Sequence, residues 1–381
     1  MAEKNSDAGR GPALPRIIPA RPAGPGQIPE RAPEVSGWHP DVLGAPFQAL
    51  TLPLGEDVDG PILATLVRDS RRPRRFTGGA VRAAATRAHA RPPGRLEAAA
   101  ARGTDILYLH GWSDYFFQTE LADFWHERGA RFHALDLRRY GRSLRPGQTP
   151  GFIENLEDYD ADIEAALEAM GHGENPTSRR RLILMAHSTG GLTASLWAHR
   201  HPGRIEALIL NAPWLEFQAG EFGRNTLEPL IHLGALYDPR AKLPGVDFGY
   251  YSRATSDVFG GEWHLDPHWR PERGFPVSVG WLRTILAGHA AVARGLTLEV
   301  PVLTLLSDSS TVTPSWSERM RHSDSVLVVD DIAQRSLRLG STVTVSRVAG
   351  ALHDVFLSEP KVRADAYARL DSWLRRYPRG L

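Results

Sequence analysis

The chain has 381 residues, with 45 basic against 44 acidic side chains and no cysteine. That length holds one large domain or two smaller ones. The balanced charge gives no global electrostatic case for nucleic acid or an anionic membrane as partner, and the lack of cysteine excludes disulfides, thiolate metal sites and a cysteine nucleophile.

In chain order, residues 1–45 read as a disordered tail. Pro12, Pro15, Pro19, Pro22, Pro25 and Pro29 recur every few positions with little to bury between them. The opening residues reach no apolar signal core, and no apolar run approaches a membrane span, so a cytoplasmic protein with no stable membrane insertion is expected. Segments 47–54 and 62–67 read as strands. An arginine-rich insert follows over 69–104, including Arg74, Arg75, Arg82, Arg87, Arg91 and Arg95. Aromatic residues are nearly absent there and no periodic face forms, so a solvated insert is expected rather than an anion site.

Strands and helices then alternate. Strands are predicted over 106–109, 131–136, 182–185, 205–210, 301–306 and 342–348. Helices are predicted over 120–128, 156–170, 192–198, 331–339 and 362–376. Ile163, Ala166, Leu167 and Met170 share one helical face, as do Ala366, Leu370 and Trp373. The pattern predicts an α/β domain over 46–381, with a mostly parallel eight-stranded sheet and helices on both faces. Roughly 90 residues separate the strands ending at 210 and starting at 301, far beyond a ~12-residue crossover. This stretch is rich in aromatic residues, Trp214, Phe217, Tyr251, Trp263, Trp269 and Trp281 among them. It is read as an inserted helical lid over 212–295.

The most telling stretch joins the 182–185 strand to the next helix: Ala186-His187-Ser188-Thr189-Gly190. It is a near-match to the G-x-S-x-G elbow, in which a sharp strand-to-helix turn lifts the central serine above the sheet. Alanine, the smallest substitute, stands in the first glycine place. A serine hydroxyl attacks only when a base takes its proton, an acid orients that base, and fixed donors meet the developing oxyanion. His353 suits the base, because it follows the last strand on a loop. His187 is its close rival, but it sits on the elbow itself with its side chain directed away from the serine. Two carboxylates fit the acid. Asp308 lies at a strand tip, and Asp324 precedes a helix; Asp324 is preferred because one helix and one strand then separate acid from base. Leu109-His110-Gly111-Trp112 follows a strand, so the amides of Trp112 and Thr189 are the expected oxyanion donors. Trp214 and Tyr115 are expected to touch substrate. Asp136 to Ser143 reads as a structural loop. His264 and His268 hint at metal ligands, but no third ligand is evident, and no metal site is assigned.

These residues resemble the α/β-hydrolase superfamily, and within it the monoacylglycerol-lipase-like, serine aminopeptidase S33 type. The matching pieces are His110 to Trp112, Asp136 to Ser143, Ala186 to Gly191, Asn211 to Trp214, Asp324 to Val326, and Gly350 to Asp354. Two departures stand out: Ala186, and an acid far from its strand that lacks the usual preceding glycine. The resemblance implies a Ser-His-Asp triad, no cofactor, and hydrolysis of a small-molecule acyl ester through an acyl-enzyme. An amidase or peptidase on the same triad, or a non-catalytic binding protein on this scaffold, are the alternatives. Reading a peptide N-terminus would need acids such as Glu216, Glu221 or Glu262 turned inward. Lid aromatics forming a greasy pocket predict a preference for medium acyl chains over acetate. The sequence gives no oligomeric state.

Overall fold

The computed structural model describes residues 37–72, 100–217, 231, 234–235, 237–243 and 247–376. Its centre is a sheet of β1 (His39–Pro40), β2 (Phe47–Asp57), β3 (Gly60–Asp69), β4 (Thr104–Leu109), β5 (Arg131–Asp136), β6 (Arg181–His187), β7 (Ala207–Asn211), β8 (Val302–Ser307) and β9 (Val343–Val348). The order is β1-β2-β3-β5-β4-β6-β7-β8-β9. Strands β1 to β3 run antiparallel and the remaining six parallel, as expected for the α/β-hydrolase fold.

The parallel strands are apolar at nearly every position because both faces are covered. Leu107, Leu109, Leu184, Ala186, Leu208 and Leu210 pack on one side with α2 (Asp158–Met170), α3 (Ser188–Arg200) and α5 (Val279–Arg294). Their neighbours Ile106, Tyr108, Ile183, Met185 and Ile209 pack on the other side with α1 (Thr119–Glu127) and α7 (Pro360–Arg376). This is the period-two alternation of a strand buried from above and below. Each fully buried leucine contributes about 1.5–3 kcal/mol. The inward faces expected of α2 and α7 are the ones that are buried.

The sheet has nine strands rather than eight. The additional strand, β1, comes from the stretch assigned to the tail, and its His39 pairs with Ala49 of β2. The boundary at residue 45 is therefore too late. Asp41, also in that stretch, accepts hydrogen bonds of 2.6 and 2.8 Å from the buried Arg142 guanidinium. Residues 1–36 lie outside the described residues, as do 73–99 of the arginine-rich insert. The register of β3 on β5 pairs Thr65 with Asp136 and Arg68 with His133. Asp69, where the insert departs, thus lies at the amino ends of the parallel strands, the end opposite Ser188. Of the 212–295 insertion, residues 212–217, 231, 234–235, 237–243 and 247–295 are described, including α4 (Tyr250–Thr255) and α5. No described helix is long and apolar enough to cross a membrane.

Candidate active site

Strand β6 ends at His187 in extended backbone, φ −112° and ψ 139°, and α3 starts at once with Ser188 at φ 51°. A left-handed serine is strained, and tight surroundings hold it. A Cβ on Gly190 would sit 2.2 Å from the His110 carbonyl oxygen, one on Gly191 would meet Pro213 at 2.6 Å, and one on Gly111 would meet the Ser188 Cβ at 2.9 Å. These close approaches explain the glycines around the serine. Ala186 is accommodated because it lies within β6, paired with Leu109 and Leu210.

Three distant segments converge on the elbow. His353 Nε2 lies 3.0 Å from Ser188 Oγ, and His353 Nδ1 lies 2.9 Å from Asp324 Oδ2. The carboxylate next to Nδ1 favours the tautomer with its proton there, which leaves Nε2 free to accept from the serine. Asp324 is fully buried. Its other oxygen accepts the Val326 and Leu327 amides, each at 2.8 Å, ahead of α6 (Val329–Ser336). The chain from Ser309 to Ser323 swings out and returns: Ser310 bridges to Asp324, and the Thr311 amide donates to the Asp324 carbonyl at 2.7 Å. The loop therefore brings Asp324 back to the tip of β8 despite its distance in sequence. Asp308 stands outside the group, exposed, accepting the Gly350 amide at 3.1 Å.

Thr189 follows Ser188 directly, and Gly111, next to Trp112, approaches it closely, since a Cβ there would lie 2.9 Å from the Ser188 Cβ. Thr189 lies in the first turn of α3, where N–H groups have no partner within the helix and the helix dipole is positive. The preceding turn is braced by His110, whose Nε2 accepts the Leu137 amide at 3.1 Å while Nδ1 faces the Gly111 carbonyl at 2.7 Å. Trp112 packs against Trp281, ring centres 3.9 Å apart with planes tilted by 44°. Trp214 donates its amide to the Ser188 carbonyl at 2.9 Å, and its ring lies 6.0 Å from Trp281. Behind the Thr189 amide is a cavity of about 10 Å³, lined in part by Tyr140, Tyr159, Thr193, Trp281 and Ile285. It has room for about one water.

Tyr115 departs from expectation. It is buried against Phe117 and Trp269, and its hydroxyl accepts the Asp266 amide at 3.0 Å. Burial pushes the phenol up to about 12. Its ring is packed, and its hydroxyl oxygen accepts a backbone amide. Arg142 is structural, bridging the buried Asp41 and Asp136. His264 and His268 pair with Asp257 and Asp266 at the surface, and no cluster of metal-type side chains forms among the described residues.

Behind the imidazole lies a polar network of which the sequence singled out only His187. His187 packs its ring 4.8 Å from that of His353 and directs Nδ1 to the Asn211 carbonyl. Burial depresses its basicity. Asp354 accepts from Asn211 Nδ2 at 2.6 Å and from Gln118 Nε2 at 3.3 Å. Asp114 pairs with Arg270. The signal was present in part: Asp114 follows the His110 turn and Asp354 adjoins His353, but their partners are remote in sequence.

The fold and part of the sequence have counterparts in known proteins. The crystal structure of Paleococcus ferrophilus monoacylglycerol lipase aligns with a TM-score of 0.53 at 17% identity, over 72% of this chain and 95% of that one. A soluble variant of monoglyceride lipase from Saccharomyces cerevisiae gives 0.54 at 16% identity, over 86% and 97%. In sequence, the mouse (lyso)-N-acylphosphatidylethanolamine lipase is 41% identical over 83 residues, 22% of either chain. Lysophospholipase L2 of Escherichia coli K12 is 35% identical over 81 residues, 21% of this chain and 23% of the relative. The chain thus matches only about a fifth of the length of these curated relatives. The family described as serine aminopeptidase, S33 (Hydrolase_4) matches over residues 99–360, a span that contains Ser188, Asp324 and His353. With that match over most of its length, the chain belongs to the S33-type serine aminopeptidase family of α/β hydrolases.

Proposed function

We propose that this protein is a serine hydrolase that cleaves carboxylic esters through an acyl-enzyme. The observation that carries this reading is the contact series from Ser188 to His353 to Asp324, at 3.0 and 2.9 Å. Ser188 Oγ attacks the acyl carbonyl as its proton passes to His353 Nε2. Asp324 holds the ring and stabilises the imidazolium. The Trp112 and Thr189 amides meet the oxyanion. The imidazolium returns the proton to the leaving alcohol, and the acyl group stays on Ser188. Water, deprotonated by His353, then releases the acid and restores the serine. No metal or cofactor takes part in this scheme.

Small-molecule acyl esters are the proposed substrate class. The relatives named as monoacylglycerol lipases and lysophospholipases support it. Trp214, beside the serine, is the proposed acyl contact, and the 212–295 insertion is the proposed lid. The amide alternative is weakened by two acids. Glu216 pairs with Arg335 and Glu262 with Arg363, so neither is turned toward Ser188 to hold a peptide amine. Glu221 lies outside the described residues.

The test is turnover of 4-nitrophenyl acetate and butyrate, with a fluorophosphonate label on intact protein. We expect labelling and turnover that Ser188→Ala abolishes. Equal turnover by the variant removes the assignment, and absence of labelling favours a binding protein on a hydrolase scaffold.

A further inference from the structure

The 212–295 insertion is tied to the chain that follows the oxyanion turn at three consecutive residues. Ser113, at φ 51°, accepts the Phe275 amide on its Oγ at 3.0 Å. Asp114 accepts from Arg270 Nη1 at 3.0 Å. Tyr115 accepts the Asp266 amide. A serine in the left-handed region persists only where its surroundings over-determine it, and here the clamp comes from a segment about 150 residues away in sequence.

Arg270 is the centre of this clamp. Its side chain and that of Asp114 are each only 4% exposed. Burial disfavours the guanidinium charge, but Asp114, Tyr251 and Asp354 together outweigh it and keep the group firmly protonated. Its guanidinium carbon also lies 4.8 Å from the centre of the Tyr251 ring. That ring stands edge-on to the His353 imidazole, with centroids 5.3 Å apart and planes at 86°. One side chain therefore touches both the loop carrying the Trp112 amide and the aromatic wall behind the base.

From this juxtaposition we infer that Arg270 is a positioning residue. Through Asp114 it fixes the oxyanion turn, and through Tyr251 it fixes the face of His353, so that both catalytic elements keep their geometry only while this part of the insertion is docked. The inference rests on the serine-hydrolase reading above. It separates Arg270 from groups that touch substrate: its loss weakens the hold on the transition state and leaves ground-state binding largely in place.

The experiment uses the full chain, with wild type, Arg270→Met and the double variant Asp114→Leu/Arg270→Met. The double variant leaves no buried unpaired charge, and such apolar replacements of buried ion pairs are commonly neutral or stabilising. It keeps the test valid if Arg270→Met alone does not fold. The measurements are kcat and KM for 4-nitrophenyl butyrate, calorimetric affinity for butane boronic acid as an oxyanion mimic, and thermal melting. We expect the double variant to fold like wild type, with kcat down about 10–100-fold, KM within about threefold, and boronate affinity reduced in step with kcat. Double-variant kcat and boronate affinity within about threefold of wild type overturn the inference and make the pair merely structural. Failure of the underlying reading looks different: wild type itself neither turns over the ester nor labels at Ser188.

Discussion

Replacing Asp324 by asparagine isolates the part of the site that sequence left most open. The carboxylate has two jobs at two oxygens. Oδ1 accepts the Val326 and Leu327 amides at 2.8 Å each, and Oδ2 meets His353 Nδ1 at 2.9 Å. In Asp324→Asn the two amide donors demand an acceptor, so the carbonyl oxygen takes the Oδ1 place and the NH₂ group faces the imidazole. Two N–H groups cannot point at each other, so Nδ1 loses its proton and Nε2 gains one. The ring then donates toward Ser188 Oγ instead of accepting from it, and the base is lost without loss of shape. A wrong tautomer of this kind costs about 10⁴ in kcat, which is about 5.4 kcal/mol of transition-state stabilisation. The backbone donors stay satisfied, so melting shifts by only a few degrees. The assay is steady-state hydrolysis of 4-nitrophenyl butyrate, with Ser188→Ala as the background and Asp308→Asn as the contrast. Asp308 is exposed and accepts the Gly350 amide and the Ser309 hydroxyl, not His353, so its variant keeps kcat within about twofold. Retention of more than about a tenth of kcat by Asp324→Asn, or a loss beyond about a hundredfold in Asp308→Asn, refutes the tautomer argument.

Other consequences are equally direct. Burial lowers His133 from 6.5 to about 4, so the unfolded chain binds one more proton than the native state between those values. Stability is therefore full above pH 6.5 and falls as pH drops toward 4, by about 3 kcal/mol in total. His133→Gln should flatten that part of a urea-midpoint series, and an unchanged slope refutes it. Asp41→Asn leaves Arg142 short of one buried partner and should cost about 3–5 kcal/mol in chemical unfolding; a cost below about 1 kcal/mol returns residues 37–45 to the status of a loose tail. Trp281, tilted against Trp112, lines the cavity of about 10 Å³ beside Thr189; with the acyl chain seated there, acetate should be turned over better than hexanoate, the reverse of the preference for medium chains expected from the aromatic lid. Trp281→Ala should raise the hexanoate-to-acetate ratio of kcat/KM about tenfold or more, at about 3–5 kcal/mol of stability. An unmoved ratio places the acyl chain elsewhere.

What could be read from sequence followed the range of the forces involved. Strands β4, β6, β7 and β8 and the inward faces of α2 and α7 were legible because burial on two faces or one imposes a period that any local window displays. The elbow was legible for the same reason: its strain and its close backbone approaches constrain residues within two positions of Ser188. The carboxylate beside His353 was harder. Its partner lies 29 residues away, and the bridge from Ser310 to Asp324 that returns it to the strand tip depends on backbone pairing across a loop. β1 was missed because proline spacing dominates the composition of residues 12–40, while the groups that anchor its neighbourhood, Asp41 and Arg142, are 101 residues apart. Arg270 was beyond reach altogether. Nothing around it is periodic, and its meaning comes only from Asp114, 156 residues earlier, and from a tyrosine ring packed on the imidazole. Tyr115, expected at the substrate, is packed against Phe117 and Trp269, and its hydroxyl accepts the Asp266 amide. Sequence thus locates chemistry that is built within one turn of chain. Residues that hold such chemistry in place are defined by tertiary partners, and in this protein several of them come from the insertion between β7 and β8.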